Sequence, residues 1–257
     1  MKKISVFFFS VLLLSSAVLF AQKAQMNPEA AKLYNQGNKQ YKSGNYNGAI
    51  ESYKKALAIE RDAPILYQEG LAYKKLRKFK EAEADFTECI KLDPDFVPAY
   101  NGLGTTYYAM GEYLKAAENF KKFGEKSKKK KYKEKAKKFM GLAYTKLGVK
   151  ESKNGNYKKA VEYLTKAIEN YNYDAAYLEL ADVYITLGKY EEALKAANNA
   201  IKYRPRKSRV PKGAPYFYKG LAYKGMKDKT HAKQNFAIAA KDKLYKDRSK
   251  HEMKYMN

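Results

Sequence analysis

The sequence predicts an all-α fold in which six helix pairs stack into a solenoid. Three observations predict it. Small residues and aromatics recur together at intervals of 33 and 34 residues: Gly37, Gly70 and Gly104, each followed by an aromatic three or four positions on. Within each period the small and aromatic residues fall three and four apart, the spacing of one helix face. Glycine followed two positions later by tyrosine punctuates the middle of most periods, where one helix must end and the next begin. No single helix pair of this size can bury its apolar face alone, so the copies must stack on one another.

Taken in chain order, Lys2 and Lys3 precede an apolar run over residues 4–20 that only serines interrupt. A run of about 17 residues lies between a long signal-peptide core and a short membrane helix. Residues 1–21 are read as a signal peptide. Ala21 is small enough for the position before cleavage, although Leu19 is larger than that recognition prefers. An uncleaved inner-membrane anchor is the other reading. Cys89 lies far from this segment, so no lipidated amino terminus is expected. Either way the bulk of the chain is exported, to the periplasm or cell envelope of a Gram-negative bacterium. Residues 22–29 are a short linker.

Six copies follow, over residues 30–63, 64–96, 97–130, 131–173, 174–206 and 213–246. Twelve residues after each of the first three glycines comes an alanine (Ala49, Ala82, Ala116), and four later an aromatic (Tyr53, Phe86, Phe120). The fifth copy repeats the order as Ala181, Tyr184, Ala193, Ala200 and Pro205, and the sixth as Gly220, Tyr223, Ala232, Phe236 and Ala239. The mid-copy turns read Gly44-Asn45-Tyr46, Gly111-Glu112-Tyr113, Gly155-Asn156-Tyr157 and Gly188-Lys189-Tyr190. Copy four departs: Gly141-Leu142-Ala143-Tyr144 reads as its first-helix motif, yet its turn arrives seven residues late. Its first helix is therefore expected to run about two turns longer. Copy six has Lys227-Asp228 where a turn glycine is expected, and its outer helix is read as a cap. Residues 247–257 form a basic cap or tail.

These small-residue and aromatic positions resemble the tetratricopeptide repeat, over nearly all of the chain after residue 29. Pro94 and Pro205 fall where that family places its terminal proline. The resemblance implies a binding scaffold whose first helices line a concave groove for an extended peptide or a partner helix. Its groove positions fall on Tyr34, Asn38, Tyr41 and Lys42 in copy one, on Tyr67, Leu71, Lys74 and Lys75 in copy two, and on Asn101, Thr105 and Tyr108 in copy three. Tyrosine offers large rigid contact area and asparagine can hydrogen-bond a peptide backbone. The competing reading of each tyrosine is packing between repeats. Some members hold a terminal carboxylate with a Lys and Asn constellation. Asn38 matches one position of it, but Tyr34 and Gln68 stand where a lysine and an asparagine belong, so that clamp is not expected.

Composition narrows the function classes. The 257 residues carry 52 Lys+Arg against 27 Asp+Glu, a net charge of +25, and 45% are hydrophobic, ample for a packed core. One cysteine rules out a disulfide framework. Cys89 stands where sibling copies have alanine, a packing position, and His231 and His251 have neither a nearby cysteine nor a clear carboxylate partner. No phosphate loop, nucleophile elbow or metal motif is present, so neither catalysis, a cofactor nor a metal is expected.

The basic charge is uneven. Residues 121–138 hold eleven lysines, among them the unbroken Lys128, Lys129, Lys130 and Lys131 at the junction of copies three and four. A second cluster, Arg204, Arg206, Lys207, Arg209 and Lys212, fills the insertion between copies five and six. Such fields attract acidic partners in a salt-sensitive way. The function expected is thus a non-catalytic scaffold or assembly factor gripping a peptide or partner protein of acidic character. The alternative is a binder of anionic polymers or lipid head groups through the basic clusters. Export argues against nucleic acid, and self-association into a homo-oligomer is a third reading.

Overall fold

The computed structural model describes residues 26–256, so the segment read as a signal peptide lies outside the described residues. Six antiparallel helix pairs follow one another: α1 (Pro28–Lys42) with α2 (Tyr46–Ile59), α3 (Ala63–Lys75) with α4 (Phe79–Leu92), α5 (Val97–Met110) with α6 (Tyr113–Lys126), α7 (Lys130–Lys153) with α8 (Tyr157–Asn170), α9 (Asp174–Thr186) with α10 (Tyr190–Lys202), and α11 (Ala214–Gly225) with α12 (Lys229–Ala239). A thirteenth helix, α13 (Lys246–Lys254), closes the series. There is no strand among the described residues.

Local chemistry sets the ends of these helices. Asn27 caps α1 by accepting from the Glu29 and Ala30 amides, with Pro28 in the first turn; Asn45 and Asp228 cap α2 and α12 in the same way. The turn glycines Gly44, Gly111, Gly155 and Gly188 all have φ between +71° and +83°, the left-handed region. Copies two and six adopt that turn without glycine, through Arg77 and Lys227 at φ 59° and 63°.

Each helix packs on the next, and first helices also meet first helices: α1 with α3, α3 with α5, α7 with α9, and α9 with α11. That pattern puts the first helices on the inside of the stack's curve. The core is a line of clusters rather than one centre. Tyr53, Phe86, Phe120 and Phe236 are its largest fully buried side chains. Each lies sixteen residues after a glycine of the partner helix, so closely that a methyl group on Gly37 would sit 2.5 Å from the Tyr53 ring.

This sixteen-residue rule corrects the reading of copy four. There the pair is Gly148 with Leu164: a methyl on Gly148 would lie 2.6 Å from the Leu164 Cγ, whereas Gly141 faces Tyr171 and the Ala167 carbonyl. Gly148, not Gly141, thus occupies the repeat's small position. The repeat proper starts at residue 141, and residues 130–140 are an extension of α7 at its amino end. This accounts for the 24 residues of α7 against 12 to 15 in the other first helices.

Of the two caps expected, the outer helix of copy six and the segment after residue 246, the second closes the stack. Helix α12 is not the outer surface: α13 packs against it, buries Met256, and sets the Arg248 guanidinium 4.4 Å from the Phe217 ring centre. The apolar face of Phe217 and Phe236 needs that cover, and residues 246–256 supply it.

Candidate functional site

The extension of α7 changes the groove where it matters. First helices α5 and α7 do not make the close approach seen between α3 and α5, and a cavity of about 680 Å³ opens beside them. Its walls come from α3 (Tyr67), the start of α5 (Val97, Pro98, Asn101), the end of α6 (Phe123, Lys126), the linker (Ser127, Lys128, Lys129) and the extension (Tyr132, Lys135), with Asp95 on the rim. Two sequence expectations therefore converge. Groove residues Tyr67 and Asn101 and basic residues Lys128 and Lys129 share one concavity.

One side of the cavity is apolar. Tyr67 packs on Phe86 and Phe96 with ring centres 5.7 and 5.3 Å away, and Phe123 meets Tyr132 at 6.0 Å. The other side is cationic. Lys126 is held by Asp95 at 2.8 Å, but no ion pair neutralises Lys128, Lys129 or Lys135 among the described residues. Lys74 of α3, which does not line the cavity, is half buried and donates to Thr105 Oγ1 at 2.5 Å. Burial, then the charges of Lys75 and Lys135, push its amine down to about 8. The Asn101 Oδ1 is buried and has no hydrogen-bond partner. An acceptor left unpaired in such a place costs about 1–3 kcal/mol.

The remaining expected residues divide between packing and surface. Tyr34 lies 6.0 Å from the Tyr53 ring, and Asn38 Oδ1 accepts from the Tyr53 hydroxyl at 2.8 Å, so both serve the first core cluster. Tyr41 and Tyr108 sit edge-on to the turn tyrosines Tyr46 and Tyr113. Lys42 and Lys75 are exposed.

The lysine run is not one surface. Lys128 and Lys129 line the cavity, whereas Lys131 faces a second depression with Lys137, Lys138 and Tyr171, and Lys130 lies 4.0 Å from Glu134. In the second cluster Arg204 is turned inward, against the expectation of a free surface charge. It approaches buried Asp174 at 3.8 Å and donates to the Val210 carbonyl, fastening the loop that leaves Arg206, Lys207 and Arg209 exposed.

Sequence reasoning missed Lys126, Tyr132 and Lys135 as wall residues. The signal that would have found them is the Gly148–Leu164 spacing, which marks residues 130–140 as additional. Cys89 is buried, donates to the Ala63 carbonyl at 3.2 Å, and has its thiol pushed up to about 12 by burial. No group of three potential metal ligands occurs among the described residues, and no described helix is long and apolar enough to cross a membrane.

The paired helices, the sixteen-residue rule and the inward first helices define a class. Four models of the tetratricopeptide repeat match the chain, over residues 37–76, 63–96, 86–118 and 152–210, together more than half of it. The chain belongs to the tetratricopeptide repeat family. Among curated relatives, the heat shock protein STI1 of Saccharomyces cerevisiae is 33% identical over 96 residues, 37% of this chain and 16% of STI1. The Hsp70-Hsp90 organizing protein of Triticum aestivum is 32% identical over 108 residues, 38% of this chain and 19% of that protein. The chain thus spans less than a fifth of the length of either relative. Of solved structures, YrrB, described as having an unusual peptide-binding site, superposes with a TM-score of 0.51 at 20% identity, covering 80% of this chain and 99% of YrrB. MamA of Desulfovibrio magneticus RS-1 gives 0.50 at 18% identity, covering 70% and 97%. Both show the fold.

Proposed function

We propose that this protein is a non-catalytic scaffold that holds a peptide segment of a partner protein in the groove lined by its first helices, centred on the α3–α5–α7 cavity. The observation that carries this reading is the cavity itself. It joins an apolar wall with the ammonium groups of Lys128, Lys129 and Lys135, for which no ion pair is formed among the described residues, in a concavity large enough for two or three residues of an extended chain. The apolar run at residues 4–20 supports a setting in the cell envelope, reached by export or held by an amino-terminal anchor. An assembly role there is part of the same proposal.

Tyr34 and Asn38 are poor probes because they support the core. A photo-cross-linking residue at Tyr132, which is exposed and lines the cavity, is the direct test, with Leu114 on second helix α6 as control. Discrete adducts from position 132 and none from 114 are expected in envelope extract. Adducts from both positions alike, or from 114 alone, would overturn the groove reading. The exposed clusters favour a second reading, diffuse attraction to anionic polymers or lipid head groups through Arg206, Lys207 and Arg209. Its mark would be binding that survives loss of the cavity residues and vanishes with salt.

A further inference from the structure

We infer that two loops at the carboxyl end of the stack, residues 203–213 and 240–245, form one docking surface for an anionic lipid bilayer. Leu244 enters the bilayer interface and the surrounding Arg and Lys side chains meet the head groups. The inference rests on the charge-driven reading of Arg206, Lys207 and Arg209, narrows it to one partner, and is independent of the peptide groove. The two loops are a single unit. Asp242 accepts from the Gly213 amide at 2.9 Å and from the Leu244 amide at 3.0 Å, so the second loop is bonded to the end of the first. Buried Asp174 accepts from Ser208 Oγ and lies 3.8 Å from Arg204, whose guanidinium also donates to the Val210 carbonyl. Pro205 and Pro211 stiffen what these contacts hold. The acids are thus spent on fastening, and the cations are left outside. Arg206, Lys207, Arg209 and Lys212 are exposed on the first loop, and Lys241 and Lys243 on the second. At the start of α13, exposed Lys246 and Asp247 offset each other.

Exposed charge alone would suit any polyanion, and Leu244 selects among them. It is 70% exposed, the highest value of any large apolar side chain among the described residues. The loop is not simply loose there, because the next residue, Tyr245, packs on Phe217 with ring centres 5.2 Å apart. The chain therefore holds a leucine in water where it has no packing role. Lys243 and Lys246 stand on either side of it. Their long stems can lie along an apolar layer while the ammonium groups stay among head groups, and an apolar tip ringed by such cations matches the interface of a bilayer. A soluble acidic chain would use the charges and leave the leucine idle. The cations also stand on loop tips rather than inside a concavity, which suits a broad charged plane. Near such a plane each Lys or Arg adds its own attraction, screened by salt, with no need for a shaped pocket.

The chain has no tryptophan, so Leu244→Trp in the full chain places a single reporter at the loop tip. Its emission is expected to shift to the blue on vesicles of mixed phosphatidylglycerol and phosphatidylcholine, to be quenched by brominated acyl chains, and to stay unshifted on pure phosphatidylcholine. Leu114→Trp, at an exposed position of α6, controls for vesicle binding through the apolar run at residues 4–20 and should not shift. Adding Arg206→Gln, Lys207→Gln and Arg209→Gln to the Leu244→Trp chain should weaken the shift by roughly a hundredfold in lipid concentration, at about fivefold per charge. Circular dichroism of every variant should match the parent. An unshifted reporter at position 244 on the mixed vesicles overturns the inference. So does an equal shift on neutral vesicles, an equal shift at position 114, or a shift that the three Gln substitutions leave unchanged. If those substitutions still lower salt-sensitive co-sedimentation with mixed vesicles while the reporter at 244 never shifts, diffuse attraction through the cluster stands and the docking surface falls.

Discussion

Asp85 on α4 shows how a single side chain in this fold can be held in an unfavourable place. Its carboxyl is pushed up to about 8, chiefly by burial and then by the Glu69 charge, with Lys54 acting in the opposite direction. Its Oδ2 is buried without a partner. The folded state therefore holds the Asp85 proton more tightly than the unfolded chain, whose ordinary value is near 4. Stability from this group is present at low pH and is lost as pH rises from about 4 to about 8. Asp85→Asn should accordingly raise the melting temperature at pH 8 and change it little at pH 4; thermal unfolding followed by circular dichroism at the two pH values checks this. Residue identities on the groove were partly legible beforehand. Tyr67 and Asn101 line the cavity, as their groove positions suggest, whereas Lys74 does not and bonds Thr105 instead. Tyr34 and Asn38 follow the same periodic rule, yet their side chains turn to Tyr53, because periodicity fixes which way a Cα–Cβ bond points and not what the side chain then meets.

At the scale of the helices, small–aromatic spacing made nearly every element readable, since five of the six pairs close around a glycine and a buried large residue sixteen positions on, the exception being Ala181 and Ala197 in α9–α10. Copy four hid itself because aliphatic Leu164 stands where other copies have an aromatic and because the string Gly141-Leu142-Ala143-Tyr144 lies seven residues upstream of the working glycine. Local resemblance pointed to Gly141. Only the contact with the partner helix separates the two. The turns give a cleaner case. Arg77 occupies a left-handed backbone region that four sibling turns give to glycine. A side chain there costs about 1–2 kcal/mol, partly offset by the entropy that a glycine forfeits on folding. Arg77→Gly should stabilise the protein by roughly 0.5–1 kcal/mol; urea unfolding with an unchanged slope and a higher midpoint is the expected observation.

For the molecule as a whole, the last pair of the solenoid has a face that an inner pair would have buried against the next. At the carboxyl end α13 answers that need with a strongly polar helix: Ser249 and Met256 go inward, Arg248 lies over Phe217 and Tyr245, and Glu252 reaches Lys224 at 2.6 Å. Composition alone left this stretch as a basic cap or tail, because the few inward residues are scattered among charges. A chain ending at residue 244 should expose Phe217 and Phe236, melt several degrees lower, and show a mass that grows with concentration. Sedimentation of the truncated and full chains side by side reads both effects. A truncated chain that stays monomeric and melts unchanged would remove the capping role from α13.

The length of the α7 extension has a geometric meaning of its own. Eleven residues make just over three whole turns of an α-helix, about 16 Å of rise with a residual rotation of only about 20°. The insertion therefore slides the preceding three pairs away along the α7 axis while scarcely rotating them about it, and the inward face of the helix remains inward across the join. A helix lengthened by nine or thirteen residues would have swung the two halves out of phase by about 180° or about 140° respectively. Spacing between recognition surfaces in such a stack is thus adjustable in steps of whole turns, and the cavity behaves as a gauge whose width is set by counting residues.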